Sequence, residues 1–186
     1  MKPEHLFEKS KVVSLIGSEK KYSDKAKIKV IAFSDIQTLL TKKPNNANFD
    51  VADLTVEDDE NNEYIIKIQL GKDEDIDDFS ASLFLKIDKE QVFLCRLDYH
   101  SVHLRKCRRE SFEKSHASKF HFHVHCKECY EQMGEKGIWN IAFSVKNKSN
   151  ITLSEFLSFF FQKINVQTDQ YFRKEQLSLE IVNDED

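Results

Sequence analysis

The chain has 186 residues, 40% of them hydrophobic, and its 28 Lys and Arg against 32 Asp and Glu give a formal net charge of −4. Fifteen Phe beside only four Gly and two Pro exclude a disordered or low-complexity chain, and the length is typical of a single domain, residues 1–186. The N-terminus has no secretion-signal pattern and no apolar run approaches the roughly 20 residues of a membrane span, so we expect a cytoplasmic protein without a membrane partner.

The N-terminal segment, residues 1–45, is predicted to be mainly helical. In HLFEKSKVVSLI, residues 5–16, the apolar residues follow an imperfect helical period. KIKVIAF is typical of a short strand, and the SDIQTLL segment after it predicts a short helix that ends at the turn-forming KKPNN.

Six strand-length segments with alternating apolar residues occupy residues 48–145. They are FDVADLTVE, NEYIIKIQL, FSASLFLKI, QVFLCRLDYH, KFHFHVHC and GIWNIAFSV. Short polar links such as DDENN favour antiparallel neighbours. We therefore predict an α+β fold in which a single antiparallel meander sheet of about five to six strands forms the core.

The C-terminal helix is the element with the strongest local signals. ITLSEFLSFFFQKI, residues 151–164, opens with a capping box in which Glu155 follows Thr152 by three residues. Its apolar residues form one broad stripe. The pattern predicts an amphipathic helix packed on the sheet, with residues 183–186 as a frayed tail.

The charges of the chain are segregated. Residues 50–90 contain fourteen Asp and Glu and only four Lys, whereas residues 101–119 contain six Lys and Arg and two Glu. A localised basic segment can attract an anionic ligand although the total charge is negative; it can equally be a solvated loop with no ligand. The candidate nucleic-acid-binding residues in this segment are Arg105, Lys106, Arg108, Arg109 and Lys114.

Two consecutive strands carry titratable side chains at alternate positions. In HFHVHC, the residues at 121, 123 and 125 are all His and point to one face. In QVFLCRLDYH the same alternation assigns Phe93, Cys95, Leu97 and Tyr99 to the core and the polar residues to the opposite face. If the two strands pair, one polar patch contains the candidate catalytic residues Arg96, Asp98, His100, His121 and His123.

These residue types suit cleavage of a phosphodiester. A neutral His can accept a proton from a 2′-hydroxyl, a protonated His can donate one to the leaving oxygen, and Arg can stabilise the developing charge. An Asp can fix the tautomer of a His. This chemistry requires no cofactor, but a polar sheet face exposed to water would contain similar residues without any catalytic role.

The CKEC sequence at residues 126–129 raises a separate possibility. Two thiolates at this spacing can bind one tetrahedral ion, and His125 or Cys107 could complete a zinc site with Cys126 and Cys129. A second ligand pair at a regular spacing is absent from the sequence. Structural zinc therefore stays an alternative to ordinary reduced thiols.

The segments FLCRLDYHSVH, HFHVH and WNIAF, followed by the capped helix, together resemble a widespread bacterial domain family of unknown function. That family has an R-x-D motif, a loop with histidine, an H-x-H motif, a strand with Trp and Ala, and a terminal helix. Over about residues 89–165, the R-x-D and H-x-H motifs are similar to those of TumE-type toxins of mobile toxin–antitoxin modules. The resemblance implies action on RNA through Arg96, Asp98, His121 and His123, and an antitoxin as protein partner. The basic loop and CKEC depart from the family pattern.

Three interpretations of function stay open at this point. The slightly favoured one is a metal-independent ribonuclease-like toxin or defence component acting on nucleic acid, with RNA preferred. The second is a non-catalytic binding or inhibitor module of phage or mobile-element type, in which the acidic region 50–90 mimics nucleic acid or the basic loop clamps it. The third is a zinc-stabilised interaction module.

Overall fold

The computed structural model describes residues 7–24, 27–29, 31–42, 49–71, 78–100, 120–128, 138–145, 151–169 and 181–183. Within these ranges the helices are α1 (Lys9–Gly17), α2 (Phe33–Lys42) and α3 (Leu153–Lys163). The strands are β1 (Lys20–Asp24), β2 (Lys27–Lys29), β3 (Phe49–Asp58), β4 (Glu63–Gly71), β5 (Asp78–Ile87), β6 (Glu90–His100), β7 (Phe120–His125), β8 (Ile138–Val145) and β9 (Ile181–Asn183). In this part of the chain, no helix is long and apolar enough to cross a membrane.

The strands form one antiparallel sheet in the order β2-β1-β3-β4-β5-β6-β7-β8-β9. The predicted α+β fold, a meander sheet with an N-terminal helical segment and a C-terminal amphipathic helix, is confirmed. The six predicted segments correspond to β3–β8, and the short strands β1, β2 and β9 extend the sheet at its two edges. Short turns join β3 to β4 and β5 to β6, and each strand from β3 to β6 pairs with its neighbour in the sequence.

One face of the sheet packs against the helices and forms the hydrophobic core. In β4 the side chains of Tyr64, Ile66 and Ile68 are fully buried and belong to the same cluster as residues of all three helices. The alternate residues of β4 lie on the opposite face, which we call the outer face. None of its described side chains belongs to the core cluster, and the side chains of Arg96, Asp98 and His123 lie on this face.

The strand alternation predicted from the sequence fails at one position of β6. Phe93 was assigned to the core, but Val92 and Leu94 are the buried residues there, and Phe93 is half-buried on the outer face. The cause is a β-bulge, because the β5–β6 register shifts between Leu83 and Phe84. A bulge inserts one extra residue into a strand. The side chains of β6 before the bulge therefore point to the face opposite to the one that regular alternation predicts.

The C-terminal helix is anchored beside β6. Its N-terminus has the predicted capping box, since Thr152 Oγ1 accepts from the Glu155 backbone and Glu155 Oε2 accepts from the Thr152 backbone at 2.8 Å. The backbone N–H of Ile151, just before the helix, donates to the Tyr99 hydroxyl at 3.2 Å. Tyr99 is the residue after Asp98, so this contact holds one end of the candidate site against the helix layer.

A fully buried lysine joins the helix layer to the sheet. Lys20 Nζ donates to the carbonyls of Ile16 (2.9 Å), Ser18 (2.7 Å) and Ile164 (2.9 Å), which lie at the C-terminal ends of α1 and α3. A cation is favourable at a helix C-terminus, where carbonyls lack partners. Burial lowers the pKa of Lys20 to about 8, so the side chain is still charged at neutral pH.

Candidate functional site

The outer face carries a row of polar side chains across four strands. Lys67, Ser82, Arg96 and His123 are successive cross-strand partners on β4, β5, β6 and β7. We call these four residues the polar row. Because directly opposed residues have Cβ atoms about 5 Å apart, the pairing of β6 with β7 brings Arg96 and His123 within reach of one ligand group.

Asp98 connects Arg96 and His123. Its Oδ1 accepts from Arg96 Nε at 2.6 Å, and its Oδ2 lies 3.2 Å from His123 Nε2. The side chain of Asp98 is only 10% exposed, whereas that of Arg96 is 42% exposed and that of His123 is 23% exposed. The arrangement is therefore a buried carboxylate that holds two more accessible groups in place.

The electrostatics of this cluster keep Asp98 ionised. Burial raises the pKa of Asp98, but the hydrogen bond from His123 and the charge of Arg96 outweigh burial, and the pKa lies below its usual range. An ionised carboxylate is a hydrogen-bond acceptor only. In a neutral His123 ring, the bond to Asp98 requires the proton on Nε2 and leaves the lone pair on Nδ1.

Two further candidates are placed by the backbone alone. His121 is the register partner of Asp98 in β7, and His100 is the register partner of Asp78 at the end of β6. The side chains of both histidines lie outside the described part of the structure. The strand register therefore places the backbone positions of Arg96 and Asp98 directly opposite the two histidines of the H-x-H motif.

A second row, made of rings, lies beside the polar row on the outer face. The rings of Phe84 and Phe93 are 5.5 Å apart at their centroids, and those of Phe93 and His125 are 5.8 Å apart. We call these three residues the aromatic row. Lys67 of the polar row extends over the Phe84 ring, with Nζ 4.9 Å from the centroid.

His125 behaves as part of this aromatic row. The residue is 9% exposed, and its Nδ1 has no hydrogen-bond partner among the described residues. Burial lowers the pKa of His125, which favours a neutral ring at neutral pH. His125 therefore contributes a flat, uncharged surface next to Phe93.

The zinc candidates are only partly described. Cys126 is fully buried as a member of the hydrophobic core, whereas His125 packs on a ring of the outer face. Cys107 and Cys129 lie outside the described residues. Within the described ranges, no group of three or more His, Cys, Asp or Glu side chains could hold a metal ion.

The basic segment cannot be located on the sheet. All five of its candidate residues fall outside the described part of the chain: Arg105, Lys106, Arg108, Arg109 and Lys114. The segment connects β6 to β7, and these are the strands that carry Arg96 and His123.

Several carboxylates of the acidic region are bound within the protein. Asp58 is buried and accepts from the Tyr64 hydroxyl at 2.7 Å and from the Asn62 backbone at 2.9 Å. Asp59 pairs with Lys21 at 3.0 Å and Glu63 pairs with Lys86. These internal contacts reduce the negative charge that region 50–90 could present to a partner.

The sequence prediction missed the aromatic row because it missed the bulge. The one available signal was VFLC, residues 92–95, where four consecutive apolar residues break the alternation of β6. Four such residues cannot all share one face of a regular strand. Placing the extra residue correctly would have moved Phe93 to the outer face, beside Arg96.

No protein family model, curated protein or solved structure matches this chain. The function is therefore inferred from the residues of the outer face and their geometry.

Proposed function

We propose that this protein acts on RNA as a metal-independent ribonuclease, with the outer face around Asp98 as its active site. The observation that carries the proposal is the pair of contacts from one buried carboxylate to Arg96 and to His123. The R-x-D and H-x-H motifs that resemble TumE-type toxins contribute the same residues, and a role in a toxin–antitoxin or defence module belongs to the proposal.

Each member of the cluster has a defined task in this reaction. Arg96 bonds Asp98 through Nε, so the outer edge of its guanidinium can bind the non-bridging oxygens of a phosphodiester. His123 is held by Asp98 in the tautomer whose Nδ1 can accept a proton. Asp98 orients both groups and does not touch the substrate.

The reaction is an internal transesterification. Nδ1 of His123 removes the proton of a 2′-hydroxyl, the O2′ atom bonds to phosphorus, and the bond from phosphorus to O5′ breaks. His121, in its protonated form, donates a proton to O5′. The products are a 2′,3′-cyclic phosphate and a 5′-hydroxyl, and Arg96 stabilises the charge that builds up on the phosphoryl oxygens.

The test is cleavage of a single-stranded RNA in the presence of EDTA by wild type, His123→Gln and Arg96→Gln. We expect each substitution to lower the cleavage rate on the order of a hundredfold, in keeping with the usual contribution of one acid–base or charge-stabilising group. Lys163→Gln is the matched control for Arg96→Gln, because it removes one positive charge at the end of α3, on the helix side of the sheet. Equal cleavage by wild type and His123→Gln would refute the proposal.

The nucleic-acid mimic is a weaker candidate on the described residues. Asp58, Asp59 and Glu63 all have partners within the protein. A mimic needs carboxylates that are available to a partner in place of phosphates. Cleavage of RNA that depends on Arg96 and His123 would separate the two interpretations.

A further inference from the structure

We infer that the aromatic row is a base-stacking site, so that the substrate of the outer face is single-stranded and one of its bases packs on Phe93. This inference deepens the proposed function and depends on it. Phe84 and Phe93 are register partners on β5 and β6, and the next pair on the same face is Ser82 and Arg96.

The spacing of the two rows suits one nucleotide chain. Ser82 and Phe84 are two residues apart on β5, which corresponds to about 7 Å along the strand. A phosphate bound at Arg96 would therefore have an aromatic ring within the reach of the base of its own or the adjacent nucleotide. Base stacking on aromatic side chains beside cations is the usual way in which proteins bind single strands.

Phe93 is the ring best placed for this contact. Lys67 Nζ already lies over Phe84, at 4.9 Å from its centroid, and His125 is nearly buried. Phe93 is half-buried between them, with ring centroids 5.5 Å and 5.8 Å from its neighbours. A base on Phe93 would extend a surface that already contains three rings.

The two cations that border the aromatic row favour a nucleic acid over an apolar protein partner, although Asp53 lies opposite Lys67 on the far side of the row. Lys67 and Arg96 both belong to the polar row, on either side of Ser82. The carboxylate of Asp98 is bonded to Arg96 and His123, so it does not oppose an anion directly. Two cations along one edge of a ring surface complement a chain of alternating phosphates and bases.

The duplex form of a nucleic acid does not fit the same surface. In a double helix the faces of the bases are covered by their neighbours, and only ends, loops and single strands expose them. The aromatic row therefore predicts discrimination between single-stranded and double-stranded ligands that a purely electrostatic phosphate site would not produce.

The experiment measures binding of a short oligodeoxythymidylate, the same backbone with abasic residues, and a duplex of equal length. A deoxy strand has no 2′-hydroxyl, so binding is measured without cleavage. The proteins are wild type, Phe93→Leu and Arg96→Gln, with Phe33→Leu of α2 as the matched control for the loss of a ring. Thermal unfolding of each variant separates a binding defect from a folding defect, because aromatic cross-strand pairs also stabilise sheets.

We expect wild type to bind the thymidylate about tenfold more tightly than the abasic strand or the duplex. Phe93→Leu should remove that difference, Arg96→Gln should weaken all three ligands, and Phe33→Leu should change none of them. If wild type binds the thymidylate and the abasic strand equally, and Phe93→Leu changes neither affinity, the stacking site is refuted. This result would not refute the proposed cleavage at Arg96 and His123. Failure to bind any strand by a protein that still cleaves RNA would overturn the stacking site alone. Failure to bind any strand together with no cleavage of RNA would overturn both proposals, and a protein ligand for the outer face would then be the remaining interpretation.

Discussion

Asp58 and Asp98 are both buried, but they accept hydrogen bonds from different kinds of donor. Among the described residues, Asp58 accepts from neutral donors of its own hairpin and of Ser18, including the hydroxyl of Tyr64 and the backbone of Asn62. Asp98 instead accepts from two groups that can themselves bind an anion. The kind of donor therefore distinguishes Asp58, which stabilises a turn, from Asp98, which we propose organises the active site.

Asp98→Asn should lower RNA cleavage while the protein stays folded. The substitution keeps the shape of the side chain but removes the negative charge that orients Arg96 and His123, and we expect a rate on the order of a hundredfold lower. Asp59→Asn is the matched control, because Asp59 is 74% exposed in the turn between β3 and β4, outside the polar and aromatic rows. Cleavage reduced equally by both variants would show that the outer face responds to overall charge and not to Asp98.

Asp58→Asn should lower the free energy of unfolding at neutral pH, and its difference from wild type should disappear in acid. Burial alone would raise the pKa of Asp58. Hydrogen bonds from Asn62, Tyr64 and Ser18 outweigh burial and lower this pKa to about 2. In an unfolded chain the pKa of Asp is about 3.9, so the carboxylate stabilises the folded state above about pH 4 by about 2 kcal/mol. This contribution is lost as the pH falls through about 2.

The measurement is the free energy of unfolding by urea for wild type and Asp58→Asn between neutral pH and about pH 2. Asp59→Asn is the matched control, since its side chain is 74% exposed and forms a surface ion pair with Lys21. A difference between wild type and Asp58→Asn that persists unchanged at the lowest pH would contradict the assignment.

At the scale of the elements, regular alternation could be predicted and its interruption could not. Period-two patterns located β3–β8 and put Arg96 and Asp98 on one face, opposite Cys95, Leu97 and Tyr99. The bulge in β6 depends on how β5 and β6 twist and pair, which a local pattern does not encode. Phe93 was consequently assigned to the wrong face.

Lys20 could not be identified from the sequence for a related reason. In SEKKYSDK it is one of three lysines in a polar segment, and nothing local distinguishes the buried one. Its burial follows from the meeting of two helix ends, Ile16 of α1 and Ile164 after α3, that are far apart in the chain. Contacts of this kind are set by packing of the whole helix layer.

Lys20→Met should destabilise the fold by about 2 kcal/mol at neutral pH. Methionine replaces the aliphatic part of the side chain, but the carbonyls of Ile16, Ser18 and Ile164 lose their donor in the interior. Lys21→Met is the matched control, because the neighbouring lysine is part of a surface ion pair, and its effect should be much smaller. Denaturant unfolding measures both, and equal effects would mean that the two helix ends do not depend on Lys20.

At the scale of the whole molecule, the two faces of the sheet have different roles, since one face forms the core and the other carries the proposed active site. The three helices and the core lie on one face, and the polar and aromatic rows lie on the other. Sequence patterns predicted the fold class and a meander order of the strands, and the shared site depended on pairing of the R-x-D and H-x-H strands, which the structure shows. The contribution of Asp98 as the common partner, and of the aromatic row beside it, depends on strand register and could be recognised only in three dimensions.

The most direct test of the central claim is the tautomer of His123 in the intact protein, read from the nitrogen-15 spectrum of its imidazole at mildly alkaline pH. Its signals are identified by their loss in His123→Gln. We predict a ring protonated on Nε2 by its bond to Asp98, a loss of that preference in Asp98→Asn, and a shift of the Nδ1 signal when a short oligodeoxythymidylate is added. A ring protonated on Nδ1 in the wild type, or signals that the oligonucleotide leaves unchanged at saturation, would contradict the proposed site.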